Sequence, residues 1–544
     1  MKCVIACVLV LLGTLAWGQE ASWPVPDAVL QAARSIEAPA PLLRRAPLRA
    51  LPRVSSALTE ILDQYTGALA AEPLAVRITL QGEAKPAWLA ELQRMGGMLE
   101  VQQGKMVYAS LPANQIERLA RTGKGIRLIE AQAVLSGQAL NREGGAEPAA
   151  LPEALLALQQ RARNGRGVRV GIIDFGFAGY AAAGLAPPLA QRAGKPGASV
   201  FEGSAHGIEC ARLIQQMAPE ASLLLASVGD GRNAGEGQVL AAAQWLAAQG
   251  AQLINISASG YLSALDGSAP LDQMIARLAR QGHTTIVAAG NHAQQHWRGR
   301  IADTNRNGWV DGGVAGQGDL LVFEVTQAGP VSIDLNWTPW NGSAADLDVF
   351  LYAVAADGRS ELLAQADTVQ AAGAVRPVEV LGRVLQPGHY LLGLRATRLA
   401  APGDVHVFVQ GAARMRPFQR EGSLGSPGTA AAAVTVGAAA PDGLGSAPFS
   451  ARGPTEDGRA KPELLAQIPV SGFIGTSAAA PLVTGFAALL LGADPALQGE
   501  ALRQVLRQAA RPADDASARW GVLDLTRSRR VPGAAGAEKE GMTR

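Results

Sequence analysis

Short apolar runs alternate with helical segments in two separate parts of the chain, residues 151–300 and 414–530. The runs at 168–174, 251–257 and 284–290 contain few polar residues, which is typical of parallel strands buried on both faces. Segments with helical periodicity lie between consecutive runs. We therefore predict an α/β fold with a doubly wound parallel sheet, to which both parts of the chain contribute.

Two other regions have different hydrophobic patterns. Residues 75–131 contain the element order β-α-β-β-α-β, which predicts a ferredoxin-like α+β domain. Residues 301–413 contain short alternating strands, such as VSIDLNW at 331–337, and no long helical segment. This pattern predicts an all-β sandwich. Because the α/β pattern resumes after it, we expect the sandwich to be an insertion in the α/β domain.

The chain begins with the pattern of a targeting sequence. Lys2 precedes an uncharged run at 3–17, and small residues follow near position 18. This is typical of a cleaved secretory signal peptide, and the alternative is an uncleaved membrane anchor. The signal peptide is predicted at 1–18. A loosely structured leader is predicted at 19–74, a Gly/Ala-rich linker at 132–150 and a tail at 531–544.

Composition and cysteine content narrow the class of protein. The 544 residues carry a formal net charge of +2, so nothing indicates a nucleic-acid partner. Cys3 and Cys7 would leave with the signal peptide, and Cys210 remains alone. The mature chain is therefore expected to have no intramolecular disulfide, and its fold must depend on its core or on bound ions.

Three local strings carry residues suited to nucleophilic catalysis. Asp174 ends a predicted strand, His206 begins a helix, and Ser477 lies at a turn before another helix. Histidine can accept the serine proton near neutral pH, and an acid orients the imidazole. Asn291 ends another buried strand and is a candidate donor to an oxyanion, beside the free N–H groups of the helix that follows Ser477. Alone, each residue has an ordinary structural interpretation, but together they predict acyl transfer.

These strings resemble those of the subtilisin-like serine proteases. Residues 475–481 (GTSAAAP) match the serine motif of that family except that Ala478 replaces methionine, and His206 with its following glycine matches the histidine motif. The order Asp, His, Ser is also that of subtilisin. The resemblance covers residues 151–300 and 415–525. It implies a serine endopeptidase that acts through an acyl-enzyme and needs no cofactor for catalysis.

The same resemblance implies a set of substrate-binding residues. Ser257, Ala258 and Ser259 align with the segment that pairs with the substrate backbone, and Gly290 is expected to line the same cleft. The family usually has glycine where Ser259 stands, so its side chain is expected to narrow the cleft. Phe175 replaces the Ser or Thr that usually follows the catalytic acid. These departures concern substrate preference more than activity.

The two accessory units also have counterparts in secreted proteases. Residues 75–131 resemble the inhibitor-like propeptides of the family, and the alternative is a permanent accessory domain. The insert at 301–413 resembles pre-peptidase C-terminal β-domains, chiefly through DLDVFLY at 346–352. The catalytic domain is accordingly predicted to be split between residues 151–300 and 414–530.

A candidate calcium loop lies at the start of the insert. Asp303, Asn305, Asn307 and Asp311 alternate as in the first part of an EF-hand loop. Position twelve is Val314 rather than glutamate, so the loop would be a shortened one. The alternative is an Asn/Gly turn held by its own hydrogen bonds. We therefore predict either a structural calcium site or an ordinary turn.

The leading hypothesis is an exported serine endopeptidase, periplasmic or extracellular, that acts on protein or peptide substrates. No membrane contact of the mature chain is expected, and the sequence does not indicate an oligomeric state. The alternative is a catalytically weak or inactive binding protein on the same scaffold. An esterase of the α/β-hydrolase type would need Gly-x-Ser-x-Gly and the order Ser, acid, His, which this chain lacks.

Overall fold

The computed structural model describes most of the chain between residues 25 and 530. The described residues are 25–39, 51–137, 140–141, 153–313, 318–340, 343, 345–368, 376–398, 403–468, 473–514 and 518–530. The predicted signal peptide and tail lie outside them, as does Val314.

A nine-stranded sheet forms the centre of the α/β domain. Every ladder in it is parallel except the one between Ala510–Arg511 and Gly521–Leu523 at one edge. From that edge the order is Ala510–Arg511, Gly521–Leu523, Leu464–Ala466, Val434–Ala438, Thr284–Ala288, Leu253–Ile256, Arg169–Asp174, Ser222–Ser227 and Ala190–Arg192. The central strands are buried on both faces, which explains their continuous apolar sequences. The predicted fold class is confirmed.

Helices cover both faces of this sheet. They are Glu153–Arg161, His206–Met217, Glu236–Ala248, Pro270–Arg280, Thr476–Ala493 and Glu500–Gln508. We call Thr476–Ala493 the serine helix. Among the described residues it is the one helix long and apolar enough to cross a membrane, but 89% of the span is buried in the protein. It is packed in the core between the sheet and the helix His206–Met217.

The N-terminal region contains a four-stranded antiparallel sheet. Its strand order is Met98–Gln103, Met106–Pro112, Pro73–Leu80 and Ile126–Ala131. The helices Ser56–Gln64, Pro86–Arg94 and Ala113–Thr122 accompany it, and the last two complete the β-α-β-β-α-β order expected for a ferredoxin-like domain.

The insert is a sandwich of two antiparallel sheets, and it interrupts the connection between two neighbouring parallel strands, Thr284–Ala288 and Val434–Ala438. The four-stranded sheet has the order His296–Arg300, Asp404–Gln410, Gly329–Trp337, Val378–Leu385. The five-stranded sheet has the order Ser360–Ala366, Asp346–Val354, Gly388–Arg398, Leu321–Val325, Ala413–Arg416. An apolar core lies between the two sheets.

The leader is more ordered than its composition suggests. It contains the helix Asp27–Ser35, whose Ala32 and Ala33 are buried against the sandwich residue Trp309. The indole N–H of Trp309 donates to the carbonyl of Ile36 over 3.0 Å. This segment packs on the insert because its small apolar residues fit beside a large aromatic ring.

Two short sheets involve residues expected to be linker. The strand Val134–Gly137 lies between Asn233–Gly235 and Ala258–Ser259, antiparallel to both. We call Val134–Gly137 the cleft strand. The strand Leu140–Asn141 pairs with Phe473–Ile474. These residues therefore belong to sheets of the α/β domain, whereas the Gly/Ala-rich composition predicted a free connection.

Candidate active site

Asp174, the first of the residues predicted to be catalytic, lies at the carboxyl end of the parallel sheet. Asp174 is the last residue of the strand Arg169–Asp174 and is 1% exposed. The backbone N–H of Phe175 donates to its Oδ1 over 2.8 Å. Polar residues collect at this edge because the carboxyl ends of parallel strands meet there.

His206 lies against Asp174 in the geometry of an acid–imidazole pair. Its Nδ1 is 2.9 Å from Oδ1 and 2.8 Å from Oδ2 of Asp174. A carboxylate can only accept hydrogen bonds, so Nδ1 carries a hydrogen, and in the neutral imidazole the lone pair is on Nε2. The Nε2 atom is buried and makes no hydrogen bond with any residue the structure describes. In the neutral imidazole, Nε2 is therefore the atom that can accept a proton.

Electrostatics at this pair favour the imidazolium. Burial by itself lowers the pKa of His206, but the charge and hydrogen bond of Asp174 outweigh it and raise the pKa well above its ordinary value. A base with a raised pKa accepts a proton more readily in the transition state.

Close backbone packing brings His206 to Asp174. A methyl group on Gly207 would lie 2.6 Å from the carbonyl oxygen of Gly176. Glycine after the histidine lets the helix His206–Met217 start directly beside the segment that follows Asp174.

Ser477 is the second residue of the serine helix. Gly475, which precedes the helix, has φ of 120°, a conformation that favours glycine. The Ser477 hydroxyl donates to the carbonyl oxygen of Ser257 over 3.3 Å. The hydroxyl is thus bonded to Ser257 and not to His206 Nε2, which accepts no hydrogen bond from a described residue. Catalytic hydrogen bonds commonly form only in the substrate complex.

Cys210 connects the three residues. Its Sγ is 3.6 Å from Oδ2 of Asp174, 4.0 Å from Nδ1 of His206 and 3.7 Å from the carbonyl oxygen of Ser477. The thiol is fully buried, and burial raises its pKa. It therefore stays protonated and packs as a weak donor against the Asp174 carboxylate. The sequence shows that Cys210 remains alone in the mature chain, but it does not reveal these neighbours.

Asn291 is held by the residue before the serine. Its Oδ1 accepts from the backbone N–H of Thr476 over 2.9 Å and from the Thr476 hydroxyl over 3.1 Å. Because the N–H group is a donor, the atom facing it must be Oδ1. The side-chain NH₂ of Asn291 is thereby directed away from Thr476.

The predicted substrate-binding residues border the cleft strand. Ala258 pairs with Gly137, and Ser259 pairs with Ser136. Ser257 touches the serine itself, since its hydroxyl donates to the Ser477 carbonyl over 3.5 Å. Gly290 lies beside the same motif, and its N–H donates to the Thr476 hydroxyl over 3.1 Å.

Two described strands lie beside the residues predicted to be catalytic. The cleft strand ends at Gly137, where an added Cβ would lie 4.0 Å from His206 Nε2. The strand Leu140–Asn141 pairs with Phe473–Ile474, which directly precedes Gly475. Residues 138 and 139 lie outside the described residues. Sequence reasoning missed this arrangement because a four-residue strand has too few positions to show a period.

The four candidate calcium ligands lie in one exposed loop. Asp303 Oδ1 accepts from the backbone N–H of Asn307 over 3.1 Å, and Asp311 accepts from another backbone N–H of the loop. The side-chain amides of Asn305 and Asn307 donate to Asp319 over 2.8 and 2.6 Å. Asp319 was not predicted, because it follows the motif by eight residues. Its carboxylate adds a hard oxygen to the set, while the internal hydrogen bonds are those of an Asn/Gly turn.

This fold and these residues define the class as a serine-type protease of the α/β kind. A family model described as the subtilase family matches residues 165–313 and 400–522, which together make up half of the chain. The chain belongs to the subtilase family. The gap between the matched segments lies within the sandwich, so the family pattern resumes after the insert.

A solved structure agrees with the fold. The CspB protease of Clostridium perfringens is similar over 69% of this chain and 96% of its own, with 18% sequence identity and a TM-score of 0.50. At that identity the likeness concerns the fold alone. No curated protein matches the chain.

Proposed function

We propose that the protein is an exported serine endopeptidase that hydrolyses peptide bonds through an acyl-enzyme, with Asp174, His206 and Ser477 as its triad. Membership of the subtilase family establishes the protease class and protein or peptide substrates. The observation that carries the finer proposal is the contact of His206 Nδ1 with both Asp174 oxygens, while Nε2 makes no hydrogen bond with a described residue.

The reaction follows from these positions. His206 Nε2 takes the hydroxyl proton as the Ser477 oxygen bonds to the substrate carbonyl carbon. The resulting oxyanion receives hydrogen bonds from the Asn291 NH₂ and the Ser477 backbone N–H. The imidazolium, stabilised by Asp174, then gives its proton to the leaving amine as the peptide bond breaks. Water, deprotonated by His206, hydrolyses the ester and frees Ser477.

The test is a comparison of the wild type with Ser477→Ala. Purified wild type should hydrolyse casein and take up a fluorophosphonate on Ser477, and the alanine variant should do neither while melting at a similar temperature. Wild-type protein that binds peptides but shows no labelling and no hydrolysis would instead support the binding-protein alternative.

We propose further that residues 19–137 form a propeptide removed by the enzyme itself. The cleft strand pairs with Ala258–Ser259, and the strand Leu140–Asn141 pairs with the residues just before Gly475, and these two pairings support cleavage between the strands. The mature N-terminus should therefore be residue 138, 139 or 140, as read by N-terminal sequencing. Ser477→Ala protein should keep the segment. Identical masses of the two proteins, apart from the signal peptide, would make the segment a permanent domain.

Export and calcium complete the proposal. The segment 1–18 supports export, and cell fractionation of the expressed chain should recover protein without it outside the cytoplasm.

The loop of Asp303 and Asp311 supports structural calcium. Saturating calcium at a hundredfold excess over Kd would add ~2.7 kcal/mol to the unfolding free energy. Asp303→Ala should abolish calcium-dependent melting, whereas Asp357→Ala in an exposed turn should not. Calorimetry without binding at millimolar calcium would identify an ordinary turn.

A further inference from the structure

The inserted sandwich forms one wall of the cleft beside the catalytic residues. The cleft has a volume of about 1530 Å³ and is lined on one side by residues of the α/β domain, including His206 and Phe175. On the other side it is lined by Val331, Arg383 and Gln410 of the insert. The insert is therefore placed where it contacts whatever lies in the cleft.

One side chain of the insert contacts the cleft strand directly. The Ser136 hydroxyl donates to Oε1 of Gln410 over 2.9 Å. The backbone of Ser136 is paired on one side with Asn233 and on the other with Ser259. Because both ladders hold this residue, the direction of its side chain is set, and it meets Gln410.

The amide of Gln410 is oriented by a buried carboxylate. Its Nε2 donates to Oδ2 of Asp334 over 2.6 Å, and Asp334 also accepts from the Ser332 hydroxyl over 2.6 Å. Asp334 is 3% exposed. An ionised carboxylate only accepts hydrogen bonds, so it must face the NH₂ group of Gln410. The carbonyl oxygen of Gln410 is then the atom presented to the cleft.

We propose that the insert determines substrate preference, and that Gln410 selects a hydroxyl side chain at the substrate position that pairs with Ser259. This proposal rests on the proposed function, because it takes the cleft strand as the pose of a substrate. Serine or threonine at this position satisfies the Gln410 oxygen. An alanine there leaves a desolvated acceptor without a donor, which weakens binding.

The test uses the eight-residue peptide of positions 134–141, VLSGQALN, and its variant with alanine in place of the serine. Self-processed wild-type enzyme, after separation from its N-terminal fragment, should cleave the serine peptide about fivefold more efficiently in kcat/KM, the effect of one neutral hydrogen bond. Gln410→Met, which keeps the side-chain length but removes the acceptor, should bring the ratio close to one. Gln365→Ala on the other sheet of the sandwich should keep the wild-type ratio.

A second variant protects the test against misfolding at position 410. In Asp334→Asn the new amide can pair with either end of the Gln410 amide, so Gln410 is no longer held in one orientation. The logarithm of the kcat/KM ratio between the serine and alanine peptides should therefore fall by about half or more. Equal cleavage of both peptides by the wild type would overturn the role of Gln410 while leaving the protease assignment intact. Casein hydrolysis without cleavage of either peptide would overturn the substrate pose, and loss of both activities would overturn the proposed function.

Discussion

At the scale of single residues, the site depends on what each hydrogen-bonding atom faces. Asp174 faces both the Nδ1 of His206 and the thiol of Cys210, and Asn291 faces the backbone before Ser477. These contacts leave the Nε2 of His206 without a hydrogen bond among the described residues and direct the NH₂ of Asn291 away from Thr476. Two substitutions separate their chemical roles from structural ones.

Asp174→Asn should lower kcat by ~10⁴, because the amide no longer fixes the tautomer of His206 or stabilises its charged form. The pH profile supplies an independent readout. His206 must be neutral to act as a base, so activity is lost as the pH falls through its raised pKa. Without the carboxylate the pKa falls, and the acid limb of kcat/KM against pH should move to lower pH. An unchanged limb would mean that Asp174 does not set this pKa.

Asn291→Asp keeps an acceptor for the Thr476 N–H but has no donor for an oxyanion. If Asn291 is an oxyanion donor, the variant should lose about 10²- to 10³-fold in kcat with little change in KM, as should Asn291→Ala. Full activity of Asn291→Asp, with loss only in Asn291→Ala, would make Asn291 a positioning residue for the serine helix. Steady-state kinetics on one peptide distinguish these outcomes.

At the scale of elements, the cleft strand is held by short ladders on both sides and by apolar packing of one residue. Leu135 is 2% exposed and lies in the core cluster that contains Phe175 and Tyr108. At Gly137, an added Cβ would lie 3.3 Å from the Phe175 ring. Phe175, which stands where the family usually has a small residue, therefore leaves room at position 137 for glycine and for little more than glycine.

Gly137→Val should slow self-processing of the precursor by about tenfold or more, because a β-branched side chain would press against Phe175 and displace the strand. Phe175→Ser in the same chain should restore much of the rate. The rate is measured by the appearance of the shortened chain on gels after refolding. No difference between Gly137→Val and the wild type would show that Phe175 does not restrict this position.

At the scale of the whole molecule, the N-terminal region contacts both the catalytic domain and the insert. Arg376 of the insert donates to the carbonyl of Ala131 and lies 3.7 Å from Glu130, whose carboxylate also pairs with Arg77 over 2.7 Å. Farther away, the helix Asp27–Ser35 packs on the sandwich. Because these contacts do not involve the chain between 137 and 140, cleavage there would leave them in place.

We therefore expect the cleaved N-terminal fragment to dissociate slowly, so that it elutes with freshly processed enzyme in size-exclusion chromatography and blocks the cleft until it leaves. Arg376→Ala removes one partner of a buried charge pair, at a cost of ~2 kcal/mol or more, so the fragment should dissociate about thirtyfold faster. Arg359→Ala, in an exposed turn of the insert, is the matched control. Immediate release of the fragment from the wild-type enzyme would show that these contacts do not hold it.

Much of the fold and most of the candidate site could be predicted from the sequence, because the signals are local. Buried parallel strands need continuous apolar runs, so the central sheet is visible in the chain, and the strings around His206 and Ser477 contain their own turn and helix-start residues. The family assignment follows from the same strings. The roles of Asp174, His206, Ser477, Asn291 and the calcium loop remain predictions for the experiments above.

The tertiary structure decided what fills the cleft and what contacts it. The sequence by itself determined which segments form strands and helices, since periodicity is a local property. It did not determine that the cleft strand pairs with Asn233–Gly235 and Ala258–Ser259, or that Ser136 meets Gln410 from 274 residues away. Such contacts depend on how an N-terminal domain, a split catalytic domain and an insert pack together, and that packing places side chains beside each other without leaving any pattern along the chain.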